Sequence, residues 1–247
     1  MSTLVGSEFL KLRTTRGWIG YVLALVVLSG IGAAAQVGTA LEFERDSPEF
    51  RLDLLSSSVT AGLIAFLVGI TSVTVEFRHG TITRTLLATP RREQVVVAKE
   101  LAGFLVGAAL AVLAIAVVLA VAIPYLSAEG AAFELDSGVA ARIGRLVLAA
   151  ALWGALGVAV GALVQKQTVA VVVAILWIFL GEGLIGALLG LKDLEDVADF
   201  LPGRALGALD GTVEDGFSPA VGGALGLTWV SVLGALGYLR VRRRDIT

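Results

Sequence analysis

The sequence has no cysteine and a single histidine, His79, which excludes a disulfide framework, a thiolate metal site and a His-rich metal cluster. It contains no G-x-x-x-x-G-K-[ST] stretch, so the chain carries no nucleotide-binding P-loop of its own. One histidine without cysteine also makes the common catalytic triads difficult to assemble. We therefore expect no catalytic residues, no metal site and no cofactor bound by this chain.

Charged residues are scarce as well. Only 16% of the 247 residues are charged, whereas 57% are hydrophobic, and the mean hydropathy is +0.89. This balance lies far above the apolar share of a soluble domain. The composition predicts an all-α, polytopic membrane protein that forms a single transmembrane domain over residues 1–247. No extended basic surface is evident, so a nucleic-acid partner is not expected.

Six apolar runs supply the roughly 20 residues that a helix needs to cross a bilayer. The third is longer than one crossing requires, so it is expected to tilt, to protrude into the cytoplasm or to bend near Pro124, which marks its outer end. An even number of spans places both termini on the same side of the membrane. The predicted spans are residues 18–39, 55–75, 95–126, 140–164, 168–190 and 219–239.

The segment before the first span has two interpretations. Apolar side chains recur at helical spacing opposite a mostly basic face, which predicts an amphipathic helix over residues 1–16 in the headgroup region. The same stretch fits the charged start of a secretory signal with a cleavage site at Ala33-Ala34-Ala35. The apolar run of residues 17–40 is longer than a typical signal core, which favours a membrane span.

Basic residues are divided unequally between the two predicted faces. Thirteen of the 19 Lys and Arg residues belong to one face, and the other face carries six of them with fifteen of the 21 carboxylates. The positive-inside rule makes the more basic face cytoplasmic. We therefore expect a multi-pass protein of the cell's inner or plasma membrane with both termini cytoplasmic. Residues 191–218 form the longest exterior loop, with enough apolar residues for short helices.

A polar interval over residues 76–94 separates the second and third spans on the predicted cytoplasmic face. Ile82 and Leu86 form an apolar strip on a short helix that Gly80 and Pro90 delimit. Such a helix can plug a groove on another protein, or it can rest on lipid headgroups. Periodicity supports the two alternatives equally.

Two features inside the spans are candidates for function or packing. Glu182 is the one carboxylate set well inside an apolar run, where a charge costs about 2.5–3.5 kcal/mol on insertion scales. It is expected either to act as a gate or substrate contact at the outer mouth or to cap backbone donors that flanking glycines expose. Gly154, Gly157 and Gly161 provide small-residue steps for close packing, inside one chain or across a dimer.

Several short motifs follow one another in a definite order: Glu8-x-x-Lys11-Leu12-x-x-x-Arg16, Glu76-Phe77-Arg78-x-Gly80-Thr81-Ile82-x-x-Thr85-Leu86, Pro90-x-Arg92, Ala98-Lys99, Gly154-x-x-Gly157-x-x-x-Gly161, Glu182 and Leu201-Pro202-Gly203. Together they resemble ABC-2 type transporter permeases, the membrane subunits of ATP-binding cassette exporters. Each motif alone is weak, and the series covers nearly the whole chain. The interval from Glu76 to Arg92 is the strongest piece.

The resemblance implies a coupling helix over residues 80–89 that docks in a cleft of a cytoplasmic ABC ATPase subunit. ATP and Mg would be bound by that separate subunit, and its closure would drive alternating access in a pair of permeases. The pair would be two copies of this chain or one copy and a homologous permease. The implied ATPase-coupling residues are Glu76, Arg78, Gly80, Thr81, Ile82, Arg84, Leu86, Pro90 and Arg92.

The expected function is therefore export of an amphipathic or apolar substrate such as a drug, a lipid or a peptide. A secondary transporter or channel is the alternative, which the lack of paired ionisable groups within the spans disfavours. A third possibility is a membrane scaffold without transport activity, for which the exterior loops leave little recognition surface. Membrane lipid is a contact partner in each case.

Overall fold

A computed structural model describes residues 2–14, 17–40, 47–82, 92–131, 133–213 and 215–242. Helices dominate these ranges and none of their residues forms a β-strand, which confirms the predicted all-α fold. Helices satisfy their backbone hydrogen bonds internally, as a chain surrounded by lipid requires.

Eleven α-helices are assigned within the described ranges. A 3₁₀ turn, Ser57–Val59, joins α3 to α4, and a π-helical turn, Trp177–Gly181, joins α7 to α8. The helices are α1 Ser2–Thr14, α2 Gly17–Thr39, α3 Pro48–Ser56, α4 Thr60–Arg78, α5 Arg92–Ala128, α6 Ser137–Val164, α7 Gln167–Leu176, α8 Glu182–Gly190, α9 Glu195–Ala198, α10 Pro202–Asp210 and α11 Pro219–Arg242.

Six helical units in the described part of the chain are long and apolar enough to cross a membrane: α2, α3 with α4, α5, α6, α7 with α8, and α11. Each predicted span corresponds to one unit. The second unit begins at Pro48 rather than at residue 55, because Ser47 Oγ accepts a hydrogen bond from Phe50 N at 3.1 Å and caps the helix. Arg51 in this helix is buried and its NH1 donates to Glu134 Oε2 at 3.2 Å.

The third unit is also longer than the apolar run. Helix α5 has 37 residues and continues to Ala128, beyond Pro124. The helix thus continues for about one turn past Pro124. Proline removes one backbone donor, but the following turn still forms, since Glu129 N donates to Tyr125 O at 3.2 Å.

Helix α6 lies at the centre of the bundle and contacts α4, α5, α10 and α11. Its apolar window is 67% buried, against 17% for α2 and 11% for the α7–α8 unit. Glycines allow this packing: a Cβ at Gly154 would overlap the carbonyl oxygen of Gly103 on α5, and one at Gly157 would overlap that of Phe66 on α4. At Gly161 a Cβ would lie 2.9 Å from Ile70 O. All three contacts lie within one chain.

Residues 191–213 and 215–218 form a folded cover rather than an open loop. Helix α10 buries Leu206 and Leu209 against α6 and α11. Trp229 on α11 donates through Nε1 to Phe200 O at 2.8 Å. Phe200 and Phe217 also pack edge to face with ring centroids 4.9 Å apart. These contacts hold the short helices on one end of the bundle.

Candidate functional site

The described start of the polar interval folds back on α4. His79 N donates to Val75 O at 3.0 Å, and Gly80 has a φ of +66°, a conformation that favours glycine. Thr81 N then donates to Glu76 O at 3.0 Å. Ile82 is buried among side chains of α4, α5, α6 and α11 of the same chain. This packing fixes the direction in which the chain leaves α4.

The rest of the predicted coupling helix lies outside the described residues. This applies to Arg84, Leu86 and Pro90, and to the side chain of Arg92, where α5 begins. The helix over residues 80–89 therefore remains a prediction. The site that the structure does define consists of the two ends that flank this interval, at the last turn of α4 and the first turns of α5.

A closed ring of four charged side chains joins these ends to α1. Lys11 Nζ lies 2.7 Å from Glu8 Oε1 and 2.9 Å from Glu76 Oε1. Lys99 Nζ lies 2.6 Å from Glu8 Oε2 and 2.7 Å from Glu76 Oε1. Each carboxylate thus contacts both ammonium groups. We call Glu8, Lys11, Glu76 and Lys99 the charge ring.

The members of the charge ring differ in exposure. The side chains of Glu8, Glu76 and Lys99 are 10%, 8% and 4% exposed, whereas that of Lys11 is 42% exposed. Buried charges are tolerated when each has an opposite charge and hydrogen bonds, and removing one partner leaves an uncompensated charge. The ring therefore helps to hold α1 against α4 and α5, together with the packing of Leu12.

Charge pairing in the ring also shifts the pKa values of the two ring members on α1, Glu8 and Lys11. Burial alone would raise the pKa of the Glu8 carboxyl, but the charge of Lys99 and hydrogen bonds from Lys11 and Lys99 hold it below its ordinary value. Burial alone would lower the pKa of Lys11, but its hydrogen bonds to Glu8 and Glu76 raise it. Both groups are thus stabilised in their charged forms.

Arg78, the last residue of α4, differs from Glu76 in that its side chain is exposed. Its NH1 donates to Gln167 Oε1 at 3.3 Å, which connects the end of α4 to the start of α7. Arg78 therefore has a charged group at the surface, where a partner could contact it. The carboxylate of Glu76 is instead buried and bound to Lys11 and Lys99 of the same chain. Gly80 and Thr81 are exposed in the turn between Arg78 and Ile82.

Glu182 lies where the π-helical turn ends and α8 begins, and it receives three hydrogen bonds. Oε1 accepts from Gly203 N at 2.7 Å and from Trp177 Nε1 at 2.9 Å, and Oε2 accepts from Arg204 N at 3.1 Å. Gly203 and Arg204 belong to the first turn of α10, where backbone N–H groups have no partner within the helix. The carboxylate thus caps α10 and joins it to the α7–α8 unit.

The glycine at position 203 makes this contact possible. A Cβ there would lie 2.5 Å from Glu182 Oε2, closer than real Cβ atoms approach. The negative charge also lies at the positive end of the α10 dipole. The sequence indicated Glu182 and the Leu201-Pro202-Gly203 motif as separate features. Their spacing did not predict the hydrogen bond between Glu182 and Gly203. A role for Glu182 in gating remains a prediction.

A second carboxylate, Glu100, lies near the start of the third helical unit. Glu100 on α5 has a buried Oε1 without a hydrogen-bond partner among the described residues, and it lies against Gly234 on α11. The predicted third span, residues 95–126, includes Glu100, and the charge count places this residue on the cytoplasmic face. Helix α5 is long enough for its first turns to lie outside the hydrocarbon core.

The fold defines a general class, a multi-pass helical membrane protein. Comparison with known proteins gives nothing narrower, because no protein-family model and no curated protein sequence matches the chain.

Proposed function

We propose that this chain is the permease subunit of an ABC-2 type exporter, driven by a separate cytoplasmic ABC ATPase subunit. The supporting observation is the charge ring at the base of the polar interval. It joins α1, α4 and α5 through paired, mostly buried charges, so a force applied to residues 83–91 would act directly on two spanning helices.

The convergence of motifs is a second argument for this class. Glu8 and Lys11, Glu76, and Lys99 come from three separate motifs of the resemblance, and they lie within hydrogen-bond distance of one another. Glu182 and Gly203 come from two more, and they also meet. A shared architecture would bring residues of separate motifs together in this way.

In the proposed arrangement, α1 is the amphipathic helix at the headgroups, residues 80–89 are the coupling helix, and both termini are cytoplasmic. Two such chains, or one with a homologous permease, would work with two ATPase subunits. ATP binding and hydrolysis there would alternate access to an amphipathic or apolar substrate. Nucleotide that binds one conformation more tightly than the other supplies the work.

The test begins with purification of the chain from its own membrane in a mild detergent. We expect a soluble partner that contains a P-loop to co-purify with it. The variants Arg78→Glu and Leu86→Asp should remain inserted in the membrane and lose this partner, because one reverses an exposed charge and the other removes an apolar contact. Glu76 is unsuitable as a docking probe, since reversing its charge would also break the charge ring.

Lys166→Glu is the matched control, because it reverses an exposed charge near Arg78 outside the polar interval. It should retain the partner. Equal retention of the partner by all three variants would refute docking through residues 76–94. Transport by the chain alone in proteoliposomes, with no ATPase present, would favour a secondary transporter or channel instead.

A further inference from the structure

The α7–α8 unit contains one turn with unusual hydrogen bonding. Residues Trp177–Gly181 form a π-helical turn, and Glu182 N donates to Trp177 O, five positions back. An α-helix bonds four positions back, so this turn holds one residue more than an α-helical turn would. Single π-helical turns are rare, and they occur often at functional sites.

The side chain of Glu182 stabilises this surplus residue. In an α-helix, residues five positions apart point about 140° away from each other around the axis. The wider turn brings Trp177 and Glu182 to the same side, where the indole Nε1 donates to Glu182 Oε1 at 2.9 Å. The same carboxylate accepts from the backbone N–H groups of Gly203 and Arg204 on α10. One carboxylate thus joins the π-helical turn to the α10 cover.

The helices on either side of the turn differ in how firmly the bundle holds them. Helix α7 packs on α4 and α6, and its Ala170 and Ala174 are buried. Helix α8 has no buried residue, and its principal contacts are with the π-helical turn and α9. Apart from Glu182, its residues are glycine or apolar. Helix α8 can therefore rotate about its axis without opening a packed core or turning a second charge towards lipid.

A return of this turn to α-helical bonding would have a defined geometric effect. Every residue of α8 would move into the place that the following residue now holds, a rotation of about 100° with a rise of about 1.5 Å. Ile185 would thus take the place of Gly186. The carboxylate of Glu182 would turn by the same angle, away from Gly203 N.

We propose that the π-helical turn is a register switch for α8. While Glu182 caps α10, the surplus residue is held in the turn. When the carboxylate leaves α10, the turn closes to the commoner α-helical bonding and α8 advances by one residue. The switch links the position of the α10 cover to the rotation of α8, and this link does not depend on the proposed ATPase partnership.

Gly186 offers a direct measure of the register of α8. A Cβ at this position would lie 3.9 Å from Ala198 Cβ on α9, within the Cβ–Cβ range of about 3.5–4.5 Å that a disulfide spans. Helix α9 is tied to the bundle just beyond its end, because Trp229 Nε1 on α11 donates to Phe200 O at 2.8 Å. A cysteine at position 186 should therefore cross-link to one at 198 in the present register, and a cysteine at 185 should do so after the switch.

The test measures disulfide formation in the full chain, in membranes treated with a mild oxidant. The chain has no cysteine of its own, and Lys192 lies between the two positions, so trypsin separates them and mass spectrometry detects a disulfide as two linked peptides. With Glu182 in place, we expect Gly186→Cys to cross-link with Ala198→Cys, and Ile185→Cys to remain reduced beside Ala198→Cys.

In the Glu182→Ala background, the cross-link to Ala198→Cys should be lost from Gly186→Cys and gained by Ile185→Cys. Ala187→Cys lies one position to the other side and should remain reduced in both backgrounds. This control separates a directed shift of register from a general loosening of α8.

Deletion of Ile178 provides a second, independent control. It removes the surplus residue, so the turn should become α-helical while α8 keeps its present register. The cross-link between Gly186→Cys and Ala198→Cys should then persist even in the Glu182→Ala background, because no surplus residue remains to be released.

Three results would overturn the switch. Persistence of the 186–198 cross-link in Glu182→Ala, with the turn at full length, would mean that the register does not depend on the cap. Absence of every cross-link in that background would mean that the cover detaches without a shift of register. Loss of the 186–198 cross-link on deletion of Ile178 alone, in a chain that remains inserted, would mean that the turn holds no surplus residue.

Discussion

Glu76 and Glu182 are both carboxylates in helical units long enough to cross a membrane, and the chain stabilises them by different means. Glu76 contacts two lysine ammonium groups in the charge ring. Glu182 accepts hydrogen bonds from two backbone amides and one indole. The first arrangement depends on full charges, while the second depends on the dipoles of a helix end.

The two arrangements should differ in how easily the helices that they join can separate. A ring of paired charges binds its helices tightly and loses most of its stabilisation when one member leaves. A cap made of backbone donors is weaker, and water can replace it at a helix end. We therefore expect α1, α4 and α5 to move together at the charge ring, and the α10 cover to separate from α8 more easily.

The largest effect should come from Lys99→Met. This change leaves the buried carboxylates of Glu8 and Glu76 facing each other with Lys11 alone, at a cost of about 3–5 kcal/mol in the free energy of unfolding. Unfolding in detergent by increasing denaturant measures it. Lys192→Met, which removes an exposed lysine, should change stability by less than about 0.5 kcal/mol. Similar values for the two variants would contradict a stabilising role of the ring.

A smaller effect is expected for Glu182→Ala, which removes all three hydrogen bonds to the carboxylate. The loss should be about 1.5–3 kcal/mol, the range for one hydrogen bond to a charged group, because water can replace the other partners at this helix end. Hydrogen exchange should report it as faster exchange of the Gly203 and Arg204 amides. Glu182→Gln keeps one acceptor oxygen and should lose less, and Asp196→Ala on the exposed side of α9 should leave both amides protected. Unchanged exchange in Glu182→Ala would refute the cap.

The smallest effect should be the loss of α1 contacts on acidification. Because the pKa of Glu8 is held below 4.5, its ionised form stabilises the folded state above pH 4.5, and this contribution disappears as the pH falls through the lowered pKa. The raised pKa of Lys11 has the opposite dependence, with a contribution that persists below 10.5 and is lost at higher pH. Association of α1 is thus strongest between these limits.

A spin label can measure this dependence, since the chain lacks cysteine and Ser7→Cys would provide a single attachment point on the exposed face of α1. Label mobility should increase below pH 4.5. In the Glu8→Gln background this step should disappear. A step of the same size in that background would assign the pH effect to another group.

The sequence predicted the number of spans because each contains about 20 apolar residues, a requirement of the bilayer itself. It placed the start of the second span at residue 55, whereas the helix begins at Pro48 and passes through Arg51, whose charge pairs with Glu134. Apolar counting stops at such residues. Hydrogen bonding in the helix does not.

Side-chain convergence was beyond sequence analysis for a related reason. Lys99 and Glu8 are 91 positions apart, and Glu182 and Gly203 are 21 apart. Periodicity describes one helix at a time, so it cannot show which helices are neighbours. Within the charge ring, only the contact between Glu8 and Lys11 joins residues of one helix. Their spacing of three positions is the one feature of the ring that the sequence alone could indicate.

Helix α5 connects the charge ring to an apolar cluster at the opposite end of the bundle. Its 37 residues form a rod of about 55 Å, nearly twice the thickness of a hydrocarbon core. Lys99 is held near one end, and Leu126 is fully packed near the other against α2 and α3. Because one continuous helix joins these two packing sites, a change of tilt at Lys99 would also alter the contacts of Leu126 at the opposite end of α5.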